Sequence, residues 1–350
     1  MHARSTCAVI VDLFAPSFPP PRDVCETIPT PDRKHLNMQK QPTMSLVDGL
    51  VVGGGNARLE RIDALIDWDA LERALAPRGT ARTGRPAFAA LMMLKILLLQ
   101  SWYGLGDPEM EEALGDRLSF RRFVGLSLGE KVPDHSTLCR FRQSVQGHAE
   151  AVFAEVNRQL DAHGLMLRHG TLIDATLIPA AVAEPPKQKG GGRSATDPDA
   201  AWTKRGAKAT FGYKLHMAVD RDSQLVRAAQ VTPANLNEVC VGHTLVQGDE
   251  AAVWADKGYV GPAMRERLQV CGIKDRVQRR AARGRPLRRR EIVRNRLIGR
   301  VRGRIEGVFG ALKRSYGLMR MRYYGLARNT AATLLTLTAW NLARAADRMG

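Results

Sequence analysis

Three acidic residues stand where acids are costly or out of pattern. Asp174 interrupts the β-branched, apolar run Thr171-Leu-Ile-Asp-Ala-Thr-Leu-Ile178, and Asp256 closes the run Ala252-Val-Trp-Ala. Glu306 lies in Arg302-Gly-Arg-Ile-Glu306-Gly-Val-Phe-Gly-Ala-Leu-Lys313, four residues after Arg302 and seven before Lys313. At about 3.6 residues per turn, Arg302, Glu306 and Lys313 share one helical face. A neighbouring stripe of Val301, Ile305, Val308 and Leu312 is the expected buried side. A charge inside an apolar strand needs compensation, and a bound cation supplies it. Two aspartates and a glutamate hold hard divalent ions, with waters and phosphate oxygens completing the shells. Two such ions about 3.5–4 Å apart activate a water or a 3′ hydroxyl and stabilise the leaving oxygen. Arg302 and Lys313 would then grip phosphates beside the ions. Taken singly, each residue also has a plainer reading. Asp174 could cap a loop from a strand edge, Asp256 could be a turn residue, and Glu306 could belong to surface ion pairs. Their joint occurrence in this order is what favours chemistry.

The charge balance points the same way. The 350 residues carry 53 Lys and Arg against 35 Asp and Glu, a formal net charge of +18. Such an excess favours a polyanionic partner, because phosphate contacts release counterions. Thirteen arginines fall between Arg276 and Arg304, against one acid, Glu291. They are expected to contact phosphates rather than bases. The five cysteines, Cys7, Cys25, Cys139, Cys240 and Cys271, form no CxxC pair, which speaks against zinc ribbons and disulfide frameworks and fits a reducing cytoplasm. The most apolar run, Ala87 to Leu99, is too short to span a bilayer and carries Lys95. The first residues lack the pattern of a signal peptide.

The elements that must position these groups divide the chain in three. Residues 1–43, with Pro19-Pro20-Pro21, are expected to be a disordered arm, and Met38 and Met44 are alternative starts. Residues 44–165 read as a helical DNA-binding domain. Leu59, Ile62, Leu65 and Ile66 have helical spacing, as do Phe88, Leu91, Met92 and Ile96, with Arg85-Pro86 opening the second helix. Pro108 to Leu114 is a third helix, and Asp134 or Ser136 caps a fourth that runs to Val145. In a helix-turn-helix reading of 130–146, Ser136, Thr137, Arg140, Arg142 and Gln143 face a DNA groove.

Residues 166–350 read as a catalytic α/β domain. Strands are expected at 171–178, 211–219, 225–231, 252–256 and 272–277, with a flexible loop over 184–206. Helices are expected at 238–247, 264–270, 292–316 and 331–344. Three strands followed by alternating helix and strand imply a mixed five-stranded sheet covered by helices. Asp220 and Asp222 are explained by the hairpin turn between the second and third strands. His216 is expected as a core or surface histidine, with facing the site as the alternative, Trp254 behind the sheet, and Glu238, near Asn235 and Asn237, at a helix start with a supporting role as the alternative.

Taken together, Leu172-Ile-Asp174-Ala-Thr-Leu-Ile, Phe211-Gly-Tyr-Lys-Leu-His216, Ala255-Asp256-Lys-Gly-Tyr259 and Arg302-x3-Glu306-x6-Lys313 resemble the DDE transposases of the insertion-sequence-five family. So do Gly317-Leu-Met-Arg320-Met-Arg-Tyr323-Tyr-Gly325 and, upstream, Gly84-Arg-Pro to Trp102-Tyr-Gly and Asp134-His-Ser-Thr-Leu138. The resemblance covers about residues 55–345. It implies a ribonuclease-H-like catalytic core in which Asp174, Asp256 and Glu306 are catalytic and hold two Mg2+ ions, with Mn2+ able to substitute. It implies that Arg302, Lys313, Arg300, Arg304, Arg140 and Arg142 contact double-stranded DNA at inverted-repeat ends and target sites. It further implies strand cleavage and strand transfer, a homodimer in the DNA complex, no membrane association, and a bacterial cytoplasmic, nucleoid-associated location. The family's tyrosine, three residues before the arginine, is replaced by Gly299, and Tyr259 is not taken as its substitute. A structure-specific nuclease with the same core and a catalytically silent DNA-binding repressor are the alternatives.

Overall fold

A computed structural model describes residues 55–75, 87–185, 192, 194–206 and 208–349. The expected arm over 1–43, both alternative starts and the Arg85-Pro86 helix opening lie outside the described residues.

The N-terminal half is helical, with α1 (Ala57–Leu65), α2 (Trp68–Ala74), α3 (Ala90–Tyr103), α4 (Asp107–Asp116), α5 (Leu118–Val124), α6 (His135–Ser144) and α7 (Ala149–Ala162). Side-chain caps start three of them. Asn56 accepts from the Leu59 N–H, Asp67 from Ala70, and Asp134 from Thr137 at 2.7 Å. Of the two candidate caps for α6, Asp134 is therefore the one used. Its hydrogen bonds, first from Ser136 and then from Thr137, hold its carboxyl down at about 2. Helix α3 ends on Gly104 at φ 65°, the left-handed cap that glycine adopts without strain.

Strands β1 (Thr171–Pro179), β2 (Ala201–Arg205), β3 (Lys208–Asp220), β4 (Val226–Pro233), β5 (Ala252–Ala255) and β6 (Lys274–Val277) form one sheet. Its order is β2-β3-β1-β5-β6, with β4 also on β3. β1, β5 and β6 run parallel, whereas β3 is antiparallel to β1, β2 and β4. The sheet is mixed and ribonuclease-H-like, as expected, but it has six strands rather than five. The extra strand, β2, lies in the segment read as a loop. β3 is 13 residues long and pairs β4 along Tyr213–Val219 and β2 along Lys208–Gly212, so the additional strand finds an edge to join. The Trp202 and Phe211 rings, 5.5 Å apart, hold that edge.

After the sheet's first half come α8 (Glu238–Val241), continued by a 3-10 turn at Gly242–Leu245, then α9 (Pro262–Val270), α10 (Arg289–Arg302), α11 (Arg304–Ser315) and α12 (Leu326–Met349). The single helix expected over 292–316 is thus two, parted at Gly303. The predicted helix at 238–247 is one short helical turn plus the 3-10 turn.

The sheet separates two apolar layers. Leu172, Ile178, Tyr213, Leu215, Met217 and Trp254 face a large cluster that also takes in Ile305, Val308 and Leu312 of α11, Leu334 and Leu342 of α12, and Ile62, Leu94 and Val156 of the helical half. The other face, with Ile173, Val253, Ala255 and Tyr259, packs on Val241, Leu245 and Met264. Central strands covered on both faces carry near-continuous apolar runs, which is why Asp174 stood out.

Candidate active site

The parallel pairing of β1 with β5 matches Thr171 to Val253, Leu172 to Trp254 and Ile173 to Ala255. Asp174 and Asp256 each follow directly on the last matched pair, Asp174 within β1 and Asp256 one residue past β5. Asp256 caps the 3-10 turn Lys257–Tyr259, its carboxylate accepting from the Gly258 N–H. Asp174 Oδ1 accepts from the Ala175 N–H at 2.9 Å.

Glu306 reaches this pair through Arg302. The Arg302 guanidinium donates to Asp174 Oδ2, and its second terminal nitrogen is 3.7 Å from Glu306 Oε1. The side chains of Arg302 and Asp174 are 17% and 19% exposed, that of Glu306 68%. The i,i+4 relation of Arg302 and Glu306 survives the break at Gly303, because Gly303 keeps α-helical angles and bonds back to Gly299. Glu306 is thus the outer member of the trio.

Two straps hold these helices on the sheet. Lys313 of α11 donates to the Leu177 carbonyl of β1 at 3.0 Å. Arg294 of α10 donates to the Val277 and Asp275 carbonyls, and Asn295 exchanges two hydrogen bonds with the backbone of Arg279. Gly299, at the tyrosine position of the resembling family, lies against β6's exit. A Cβ there would come within 3.3 Å of the Gln278 amide nitrogen, which itself donates to the Asn295 carbonyl. Just beyond α11, Arg320 donates to the carbonyls of Ala180 and Val182 where β1 runs out.

The remaining cations fall into two groups. Of the thirteen arginines from 276 to 304, all but Arg294 and Arg302 are exposed. Arg300 and Arg304 belong to this surface, and Arg304 lies 3.5 Å from Asp222. On α6, Arg140 is exposed and bonds Ser136 and Thr137 of its own helix. Arg142 points inward, where it grips Asp107 with two nitrogens and Gln100 at 2.8 Å.

Behind Asp256 lie residues to which sequence reasoning gave little weight. Lys214 of β3 donates to Glu238 Oε1 at 2.9 Å. Burial pushes the Glu238 carboxyl up, but the Lys214 hydrogen bond, a bond from its own backbone N–H and the nearby positive charge together prevail and hold the group below the ordinary range. His216 is buried between Thr232, 3.1 Å from Nε2, and the Tyr259 hydroxyl, 3.5 Å from Nδ1. Burial, and then the Lys214 charge, pull its imidazole down to about 4. The buried Tyr259 phenol is pushed up by burial and by the negative charges of Asp174, Glu238 and Asp256, with Arg302 opposing. A lysine facing inward on an otherwise apolar strand was the signal available in the sequence. Asp220 serves the turn, as expected, accepting from the Asp222 and Ser223 N–H groups. Trp254 packs in the core, also as expected.

The donor set fits a hard cation in type, since every candidate ligand is a carboxylate oxygen. Among the described residues no three acids, histidines or cysteines already converge into a cage. Mg2+ does not need one, because it commonly binds through one or two carboxylates and completes its shell with water and substrate phosphate. Asp174 and Asp256 are candidate carboxylates of that type.

Among the described residues no helix is long and apolar enough to cross a membrane. No solved structure matches the chain. Residues 52–144 match a transposase domain (DUF772), and residues 166–342, half of the chain, match the transposase DDE domain. The insertion-sequence-five resemblance is consistent with both. The chain belongs to the DDE transposases, a family of enzymes that act on DNA.

Proposed function

We propose that this transposase binds the terminal inverted repeats of its own element, hydrolyses the strand ends and joins each freed 3′ hydroxyl to target DNA. The observation that supports the reading is the β1–β5 pairing, whose last matched pair, Ile173 and Ala255, immediately precedes Asp174 and Asp256, together with the Arg302–Asp174 hydrogen bond. In this reading Asp174, Asp256 and Glu306 hold two Mg2+ ions, or Mn2+ in their place. Those ions would supply an activated oxygen nucleophile and a stabilised leaving oxygen. The chain's own residues do the rest. Asp174 and Asp256 are rigid because they sit on a strand and a capped strand end. Arg302 offsets the repulsion between Asp174 and Glu306 in the free protein and presents a planar fork suited to a phosphate. Lys313 braces α11 against β1 and adds positive charge beside the bound backbone. In the cleavage step a water oxygen bonds to phosphorus as the bond to the 3′ oxygen breaks, and the leaving oxygen takes up a proton. In the transfer step that hydroxyl gives up its proton and its oxygen bonds to a target phosphorus as the bond from that phosphorus to the target strand's 3′ oxygen breaks, and the departing oxygen takes up a proton.

The helical half, 44–165, would dock the element's end, with Arg140 on the exposed face of α6. Residues 166–350 would carry the chemistry, with Arg300 and Arg304 on the phosphate track. Two protomers would pair two ends, in a bacterial cytoplasm and near its nucleoid. The test is cleavage of end-containing DNA in Mg2+ by wild type and by Asp174→Asn. Loss of cleavage in the variant is expected, and cleavage that survives it overturns the site. Cleavage indifferent to the end sequence would instead identify a structure-specific nuclease, and tight end binding without cleavage in Mg2+ or Mn2+ a repressor.

A further inference from the structure

One polar wall next to Asp256 is unused by the chemistry above. Lys214 is 7% exposed, and its ammonium is spent on Glu238 Oε1 at 2.9 Å and the Leu236 carbonyl at 2.7 Å. The other Glu238 oxygen leans on the Asp256 turn. A Cβ built on Gly258 would lie 3.6 Å from Glu238 Oε2, 3.7 Å from Glu238 Cβ and 3.2 Å from Asp256 Oδ1. Both carboxylates therefore flank the Cα of the residue whose N–H holds Asp256 in place. Burying a lysine and half-burying a glutamate carries a desolvation cost that an apolar pair of the same volume would avoid. Here that cost falls against the strand end that Asp256 follows.

We propose that Glu238, anchored by Lys214, is a positioning residue for Asp256. It clamps the Asp256–Gly258 turn from behind and adds a negative charge that raises the site's affinity for a divalent cation, without being a ligand itself. The pair acts as the outer support that orients a metal-binding carboxylate, a role whose removal typically costs roughly 10–100-fold in metal affinity. The inference rests on the metal-dependent reading given above.

Mn2+ binding to the DNA-free full chain, by calorimetry or electron paramagnetic resonance, tests it alongside end cleavage over a Mn2+ titration. Glu238→Gln keeps the side-chain shape and is expected to weaken Mn2+ binding by roughly 10-fold or more. The half-saturating Mn2+ concentration should rise, with the loss falling there rather than on the rate at saturation. A merely structural role would not produce that split. Wild-type affinity in a folded Glu238→Gln overturns the inference. If that variant fails to fold, Lys214→Met carries the same measurement, and unchanged affinity there overturns it too. Failure of both to fold makes the pair purely structural and likewise overturns the positioning role. Wild type that binds no Mn2+ sinks the metal-dependent reading itself. Binding abolished by Asp174→Asn yet unmoved by Glu238→Gln sinks only the role of Glu238.

Discussion

Two arginines two residues apart on α6, and so on opposite sides of the helix, should behave in opposite ways. Arg142 is half-buried in a network joining α3, α4 and α6, with its side chain 18% exposed and that of Asp107 23% exposed. Burial pushes the Asp107 carboxyl up, but hydrogen bonds from Arg142 and Gln100 prevail and hold it below the ordinary range. Arg142→Met leaves Asp107 and Gln100 without that partner. Removing one partner of a fully buried pair costs about 3–5 kcal/mol, and the residual exposure here reduces this to about 2 kcal/mol. With about 2.1 cal/mol/K of unfolding entropy per residue, that is a fall of roughly 3 °C in Tm for a chain of 350 residues. Arg140→Gln breaks, among the described residues, bonds to Ser136 and Thr137 of its own helix, so its Tm should stay within about 1 °C of wild type. DNA affinity separates them again. Each phosphate contact adds about 0.9 to the slope of log affinity against log salt. Titrations of end DNA at several salt concentrations should show the slope reduced by about 0.9 for Arg140→Gln and unchanged for Arg142→Met. A flattened slope with an intact melt for Arg142→Met would refute the inward assignment and return Arg142 to the DNA face.

Two further outcomes concern the catalytic half. His216 stays neutral in the fold down to about 4, while an unfolded histidine protonates near 6.5. Its contribution is therefore present above about pH 6.5 and lost as pH falls towards 4, by about 3 kcal/mol in all. Denaturant midpoints between those pH values should flatten in His216→Gln, and an unaltered pH dependence would contradict the buried neutral imidazole. Gly212 has φ +157°, and a Cβ there would meet the Ile178 carbonyl oxygen at 2.3 Å and the Ala180 nitrogen at 2.6 Å. Since backbone cannot step aside as a side chain can, Gly212→Ala should cost about 2–4 kcal/mol, read as a lower melting temperature.

Much of this architecture was legible because local rules and tertiary demands agreed. The apolar stripe Ile305, Val308 and Leu312 is buried, the Asp134 cap starts its helix, and the strands flanking Asp174 and Asp256 are where alternation and β-branching put them. Misreadings arose where they diverged. Ala201–Arg205 follows a Pro- and Gly-rich stretch and is a strand only because β3 runs past β4 and leaves an edge. The helix ladder between Arg302 and Arg304 slackens at a glycine, which an apolar periodicity does not register. Arg142 and Arg140 are both arginines on one helix, and which of them faces inward depended on Asp107, 35 positions away.

The three carboxylates, their order and the elements that bear them can be read from residue types and spacing alone. Those follow from the cost of an acid in an apolar strand and from periodicities that any local segment carries. Which groups meet follows from the packed fold. The parallel pairing brings β1 and β5 side by side up to the residues before Asp174 and Asp256, Arg302 reaches from α10 to Asp174 and lies near Glu306, and Lys214 holds Glu238 behind the turn. Such meetings depend on strand register and helix docking, which many residues far apart in the chain fix together and no local spacing records.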